Sequence, residues 1–256
     1  MSRSIAKTPP NCWQNIRLIA TDMDGTLTKE GKFTSELLQN LEKISQTEID
    51  IIIVTGRSAG WVDAVANYLP IQGAIAENGG LFYDNQSLTS QYISRIGDIN
   101  LHRQQLAQTF QLLQTKFPHL KESTDNRFRL TDWTFDIAEL TSVELAQIDN
   151  ICQQEGWSFT YSTVQCHIKP LGQDKAIALE HILSQYYSQL QSTQVVTVGD
   201  SPNDVSLFDA SKFPLSVGVA NVLHYREQLQ HQPTYITSKA EVDGFRELVD
   251  LVVESN

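Results

Sequence analysis

Basic residues are in short supply. Nineteen Lys and Arg against thirty Asp and Glu leave a formal charge of −11, and no block of Lys or Arg breaks the deficit. A chain this acidic is a poor partner for nucleic acid or an anionic membrane surface. Long apolar runs are missing too. The best of them, Ile51-Ile52-Ile53-Val54 and Val195-Val196, are far below the ~20 residues that a membrane helix needs. The opening residues MSRSIAKTPPNCW contain no apolar stretch of signal-peptide type. The three cysteines, Cys12, Cys152 and Cys166, are odd in number and lack C-x-x-C spacing. That argues against a disulfide framework or a zinc site and for a reducing, cytoplasmic setting. The six histidines are scattered without ligand spacing, and neither G-x-G-x-x-G nor G-x-S-x-G occurs.

What is present suits a globular protein with a sizeable core: 256 residues, 41% hydrophobic and 19% charged, enough for one large domain or two modest ones. Residues 1–15 read as a loose leader. Short β-branched runs at Ile16–Ala20, Ile49–Val54 and Val195–Val198 have the near-continuous apolar character of parallel strands covered on both faces. Between them lie helical periodicities, Leu37/Leu38/Leu41/Ile44 behind a Thr34 or Ser35 cap and Trp61/Val62/Val65/Leu69 before Pro70. Alternating strand and helix implies an α/β fold. The middle differs. After the turn Asp84-Asn85-Gln86 the order reads helix, strand, strand, twice over. Strands are expected near Phe128–Thr131, Thr134–Ile137, Ser158–Tyr161 and Gln165–Lys169, an antiparallel α+β module with Trp133, Trp157 and Phe159 in its core. The α/β pattern resumes with a helix over Lys175–Leu190, small strands at Leu215–Val219 and Tyr235–Ile236, and a final amphipathic helix.

Three strands each run into a polar cluster: Asp22-Met23-Asp24-Gly25-Thr26, Thr55-Gly56-Arg57-Ser58 and Gly199-Asp200-Ser201-Pro202-Asn203-Asp204. Singly, each is also an ordinary turn, since Asp, Asn, Gly, Ser and Pro are turn residues. Together they point to one place, because active sites of open parallel sheets lie beyond the carboxyl ends of the strands. Four carboxylates, Asp22, Asp24, Asp200 and Asp204, would then repel one another. A hard divalent cation such as Mg2+, completed by water and substrate phosphate, resolves that repulsion. Asp22-x-Asp24-Gly25 is not a calcium loop, because its glycine comes too early. Gly25-x5-Gly31-Lys32 has one residue too many for a phosphate-binding Walker loop.

In these residues the chain resembles the haloacid dehalogenase (HAD) superfamily. Leu18–Thr28 resembles its first motif, hhhDxDGTLT, Ile52–Arg57 its second, Lys175 its third-motif lysine, and Val198–Asp204 its fourth, GDxxND. All four stand in order across the chain. The intervening segment resembles the C2-type cap of Cof-like phosphatases in pattern and place. The resemblance implies a Rossmann-like doubly wound core over residues 1–84 and 170–256, with an inserted α+β cap over residues 85–169 that selects the substrate. It implies Asp22 as nucleophile, forming an aspartyl-phosphate, and Asp24 as acid and base. Thr55, Gly56, Arg57 and Asn203 belong to the phosphate grip, with Lys175 neutralising charge. Mg2+ would sit on the Asp22 carboxylate, the Asp24 backbone carbonyl and Asp200, with Asp204 nearby. Arg127 and Arg129 are candidates for gripping a leaving group, with a solvated strand edge as the plainer reading. Glu77-Asn78-Gly79-Gly80 resembles the segment leading into such caps, and Asn78 is a candidate substrate contact.

The expected activity is a Mg2+-dependent phosphatase of small phosphomonoesters, sugar phosphates first among them. The partner is a small phosphorylated metabolite, with no nucleic acid and no membrane, and the protein a monomer or small homo-oligomer. Two alternatives stand beside it: a phosphomutase of related fold, and a catalytically silent binding module. The intact set Asp22, Asp24, Lys175 and Asp200 speaks against the second.

Overall fold

The structure is a computed structural model that describes residues 2–162 and 164–255. It is built on a nine-stranded sheet in the order β1-β12-β11-β10-β2-β3-β4-β5-β6. The strands are β1 (Arg3–Ser4), β2 (Leu18–Thr21), β3 (Asp50–Val54), β4 (Gly73–Ala76), β5 (Leu81–Asp84), β6 (Thr89–Tyr92), β10 (Val195–Gly199), β11 (Leu215–Gly218) and β12 (Tyr235–Ile236). From β1 to β4 every pairing is parallel; β5 and β6 close one edge antiparallel.

The unbroken apolar run of β3 follows from burial on both faces. Ile51 and Ile53 point to one side, against Leu37, Leu41 and Ile44 of helix α1 (Ser35–Ser45), Val62 and Ala66 of α2 (Ala59–Tyr68), and Leu248, Val249 and Val252 of α6 (Glu241–Ser255). Ile52 and Val54 point to the other side, against Ala176, Leu179 and Ile182 of α5 (Lys175–Tyr186). The expected Thr34 cap is in place, its hydroxyl accepting from the Leu37 amide at 3.4 Å.

A second sheet of three antiparallel strands, β7 (Trp133–Asp136), β9 (Gln165–Pro170) and β8 (Trp157–Tyr161), carries helices α3 (Ile99–Lys116) and α4 (Ser142–Gln154) on one face. Cys166 and Ile168 of the central strand β9 enter that apolar face, with Trp133, Trp157 and Phe159 packed at its margin. The residues between them in register, His167 and Lys169, are buried on the opposite face, where the sheet meets the large one.

Three expectations need correction. The described part of the expected loose leader, residues 2–15, is packed: β1 pairs with β12, and Ile5 and Trp13 are buried in the main core. The turn at 84–86 does not lead straight into the small module, because β6 first pairs with β5 at the edge of the large sheet. Residues 128–131 form no strand. A 3-10 turn covers Thr124–Phe128, and the amides of Leu130, Thr131 and Asp132 donate to the buried carboxylate of Glu77 rather than to a neighbouring strand. Among the described residues no helix is long and apolar enough to cross a membrane.

Candidate active site

The sheet order makes β10, β2 and β3 neighbours, so Asp200, Asp22 and Thr55 emerge side by side at their carboxyl ends. The Asp22 amide donates to the Val198 carbonyl at 2.9 Å, which continues the ladder one residue past the strand and fixes the carboxylate at the rim. Lys175, first residue of α5 and buried, extends its Nζ 2.6 Å from Asp22 Oδ1 and 2.6 Å from Asp204 Oδ1. Carboxylate oxygens of Asp22, Asp200 and Asp204 lie within 4.8 Å of one another, all three residues buried.

Three carboxylates around one ammonium leave the cluster short of positive charge. Burial, then the neighbouring Asp204, push Asp22 up to about 8 against the pull of Lys175. Burial, then Asp22 and Asp204, raise Asp200 well above the usual carboxylate range. Burial opposes the charge on Lys175, but Asp204 and Asp22 outweigh it and hold the ammonium protonated.

The oxygens differ in what they already hold. Asp204 gives Oδ1 to Lys175 and Oδ2 to the amides of Asp200 (2.9 Å) and Ser201 (3.1 Å). Asp200 Oδ2 accepts from Asn221 Nδ2 at 2.7 Å, while its buried Oδ1 has no partner among the described residues. An orphaned anionic oxygen beside a second carboxylate is a hard donor set that fits Mg2+. Gly25 has φ +80°, and a Cβ there would stand 2.4 Å from Asp200 Oδ2, so only glycine lets the first loop pass this carboxylate. Asp24 is not in the cluster through its side chain. Arg57 holds both of its oxygens, Nε to Oδ2 at 2.8 Å and Nη2 to Oδ1 at 2.5 Å.

Opposite the acids lies the loop after β3. Thr55 is buried, and its hydroxyl accepts from the Arg57 amide at 3.2 Å. A Cβ on Gly56 would come within 3.1 Å of both Asn78 Nδ2 and His167 Cε1, so a side chain would fill the space that an approaching anion needs. Asn78 Oδ1 accepts from Asn203 Nδ2 at 3.1 Å, and its buried Nδ2 is an unpartnered donor. Asn203 Oδ1 accepts from Ser201 Oγ at 2.7 Å. A cavity beside this loop has Asp22, Asp24 and Thr55 on its core side and Ser162, Gln165 and His167 on the other.

The two expected arginines lie elsewhere. Arg127 is exposed, its guanidinium over the Phe128 ring at 4.6 Å. Arg129 is buried and committed: Nη1 donates to the Gly56 carbonyl (2.9 Å) and to Asp132 (2.9 and 3.1 Å), Nη2 to Asp125 Oδ2 (2.9 Å) and Gln165 Oε1 (2.8 Å). Sequence reasoning passed over His167, Asp132, Asn221 and the anchoring role of Glu77. A signal existed for His167 alone, in the alternation Gln165-Cys166-His167-Ile168-Lys169, which sets polar and apolar residues on opposite faces of one strand.

The family model described as sucrose-6F-phosphate phosphohydrolase matches residues 15–249. The phosphoglycolate phosphatase of Methanothrix thermoacetophila is 27% identical over 240 residues, covering 92% of this chain and 96% of its own length. Among solved structures, the Thermoplasma acidophilum protein 0175 superposes with a TM-score of 0.73 at 20% identity, over 92% of this chain and 99% of its own. The sucrose-phosphatase from Synechocystis sp. PCC6803, determined in complex with sucrose and phosphate, gives 0.67 at 16% identity over 93% and 97%. Both share the Rossmann-like core with a cap.

Proposed function

The chain belongs to the sucrose-6F-phosphate phosphohydrolase family, capped phosphoric monoester hydrolases of the HAD superfamily acting on small phosphates, and from that premise we propose that it is a Mg2+-dependent sugar phosphate phosphatase working through an aspartyl-phosphate on Asp22. The pair of orphaned groups carries this reading. Among the described residues a carboxylate oxygen of Asp200 stands unpartnered within the acid cluster and calls for a cation, and Asn78 Nδ2, beside the Gly56 loop, is an unpartnered donor for an anionic oxygen.

Asp22 supplies the nucleophile. Lys175 holds Oδ1, and Oδ2 takes no hydrogen bond among the described residues, so it is the oxygen free to attack phosphorus. As the new O–P bond forms, the bond to the leaving oxygen breaks. Thr55 Oγ1, Asn78 Nδ2 and Lys175 Nζ offer donors to the phosphoryl oxygens as charge spreads over them. Asp24 delivers the proton to the leaving oxygen and then takes one from the water that cleaves the acyl-phosphate. Arg57 grips both Asp24 oxygens, so this pair must open when substrate arrives. Asp22, Asp200 and the Asp24 carbonyl would hold Mg2+, which when bound supplies the positive charge that this cluster lacks. Asp204, with both oxygens on protein donors, fixes Lys175 and the loop.

A sugar is favoured as leaving group by the chemistry of the cap side. Ser162 and His167 present a hydroxyl and an imidazole, while both ends of the Gln165 amide are taken by Arg129 and Asp125. Arg57, the one guanidinium lining the cavity, is occupied by Asp24. Phosphoglycolate is the second reading, favoured by the curated relatives of that name; its carboxylate would have to take Arg57 once the pair with Asp24 opens. A screen for inorganic phosphate release over hexose phosphates, disaccharide phosphates and phosphoglycolate, after chelation and with Mg2+ restored, tests the proposal. Turnover of sugar phosphates only with Mg2+ is expected. Undiminished turnover after exhaustive chelation overturns the metal role, and turnover of phosphoglycolate alone overturns the sugar.

A further inference from the structure

His167 is the feature of the cavity that the mechanism above leaves unused. It lies on β9, the middle strand of the small sheet, opposite Thr134 and Thr160, on the face turned toward the large sheet. The residue is buried, yet its ring borders the cavity that also holds Asp22 and Asp24. Cε1 stands against Gly56 of the phosphate loop. Nδ1 is spent, 2.8 Å from Asp132 Oδ2. Nε2 makes no hydrogen bond among the described residues and is the one ring nitrogen left for whatever fills the cavity.

The partner of Nδ1 decides what Nε2 can do. Asp132 is buried, and Arg129 Nη1 grips both of its oxygens. Burial alone would raise the Asp132 carboxyl, but Arg129 and the bond to His167 outweigh it and hold it below its ordinary value. An ionised carboxylate at 2.8 Å only accepts, so Nδ1 carries the hydrogen. Because Arg129 already balances Asp132, the imidazole has no need of its own charge, and burial pushes its pKa down. A neutral ring with the hydrogen on Nδ1 exposes a lone pair on Nε2. A lone pair takes a hydrogen bond from a hydroxyl and repels a carboxylate.

Resting on the sugar phosphate reading, we propose that His167, oriented by the Arg129–Asp132 pair, accepts a hydrogen bond from a hydroxyl of the leaving group and so selects phosphorylated polyols over phosphorylated carboxylates. Its part is recognition, since Asp24 covers the proton transfers. A site built to bond a hydroxyl discriminates against analogues without one, because the buried acceptor is then left unpaired.

Two substitutions separate the ring nitrogens. His167→Asn keeps an amide near the Nδ1 position for Asp132 and removes the Nε2 end. His167→Gln reaches to the Nε2 position with a carbonyl oxygen that can accept. The quantity to follow is the ratio of kcat/KM for the preferred sugar phosphate over that for phenyl phosphate, which has no hydroxyl. The ratio should fall about tenfold in His167→Asn, the scale of one lost hydrogen bond, chiefly through a higher KM for the sugar. It should recover in part in His167→Gln. An unchanged ratio in a His167→Asn protein that keeps its melting temperature overturns this role while leaving the sugar phosphate reading intact. Should the unaltered enzyme turn over phosphoglycolate and no sugar phosphate, the reading itself falls, and the role of His167 with it.

Discussion

Two buried charge clusters lie within one molecule and are made from the same residue types, but they stand in opposite conditions. At the strand ends, Asp22 and Asp204 share Lys175, and an oxygen of Asp200 is left bare among the described residues. At the junction of the large and small sheets, Glu77 accepts from the amides of Ala59, Leu130, Thr131 and Asp132 and from the Thr131 hydroxyl, while Arg129 spans Gly56, Asp125, Asp132 and Gln165. Both clusters carry the cost of burying charge. The junction offsets that cost with bonds inside the protein and therefore holds structure. The strand-end cluster offsets it only when something binds. At the strand ends a carboxylate oxygen stands bare, whereas at the junction the Glu77 and Asp132 carboxylates are held on both oxygens and Arg129 Nε is the guanidinium nitrogen without a partner among the described residues.

The sharpest way to break this contrast is to relieve the first cluster. Asp22→Asn removes one of the crowded charges together with the nucleophile. Phosphate release should fall by several orders of magnitude, yet the protein in chelator should melt at the same temperature as the unaltered chain or higher. A lower melting temperature would mean that Asp22 is structural. The opposite behaviour is expected of the second cluster. Arg129→Ala leaves Asp132 buried without its cation, which should cost about 3–5 kcal/mol in denaturant unfolding. Any remaining activity should drop on both sugar and aryl phosphates as the cap loosens, and further on the sugar phosphate, because Asp132 without Arg129 no longer holds His167 in place. A loss confined to the sugar substrate, at normal stability, would make Arg129 a binding residue.

Next in size is the response to cation and pH. Asp22 is raised from its ordinary 3.8 to about 8 by burial and Asp204, and Asp200 is raised in the same sense. A carboxyl raised in the folded state binds a proton more tightly there than in the unfolded chain. Its contribution is therefore complete below its unfolded pKa and is lost as pH rises through the folded one. In chelator, stability should decline between about pH 4 and pH 8, and Mg2+ should abolish much of that slope. At a hundredfold excess over its dissociation constant the cation should add about 2.7 kcal/mol. Thermal melts across pH, with and without Mg2+, check this; a slope indifferent to the cation would place it elsewhere. The smallest effect is reserved for Arg127→Ala. The side chain is exposed, its guanidinium over the Phe128 ring, so stability should stay within ~0.5 kcal/mol and the ratio of sugar to aryl turnover should hold. A fall in that ratio would show that Arg127 reaches the leaving group.

The acids at the strand ends were legible because strand and turn chemistry are local. Apolar runs halting at Asp22, Thr55 and Asp200 announce three strand ends, and the parallel-sheet rule then brings them together. The cap was legible as a change of rhythm, and less so in detail. Residues 128–131 have strand-like composition, but their amides go to Glu77, a partner about fifty residues earlier in the chain that no local pattern could supply. The N-terminal residues read as loose for the same reason: the strand that receives Arg3 and Ser4 lies at the far end of the sequence.

Arginine and histidine show where the division falls. By itself the sequence determined the charge set Asp22, Asp24, Asp200, Asp204 and Lys175, the parallel core that collects it, and a polar face on one strand of the cap. Those follow from residue type, periodicity and the order of elements. Which charges are spent and which are free was decided only by the tertiary structure. Arg57 is closed on Asp24, Arg129 is closed on Asp132 and Gly56, and Asp200 Oδ1, Asn78 Nδ2 and His167 Nε2 remain open. A long side chain can reach several partners of equal chemistry, and burial, which makes each pairing strong or each vacancy costly, exists only once distant segments have packed.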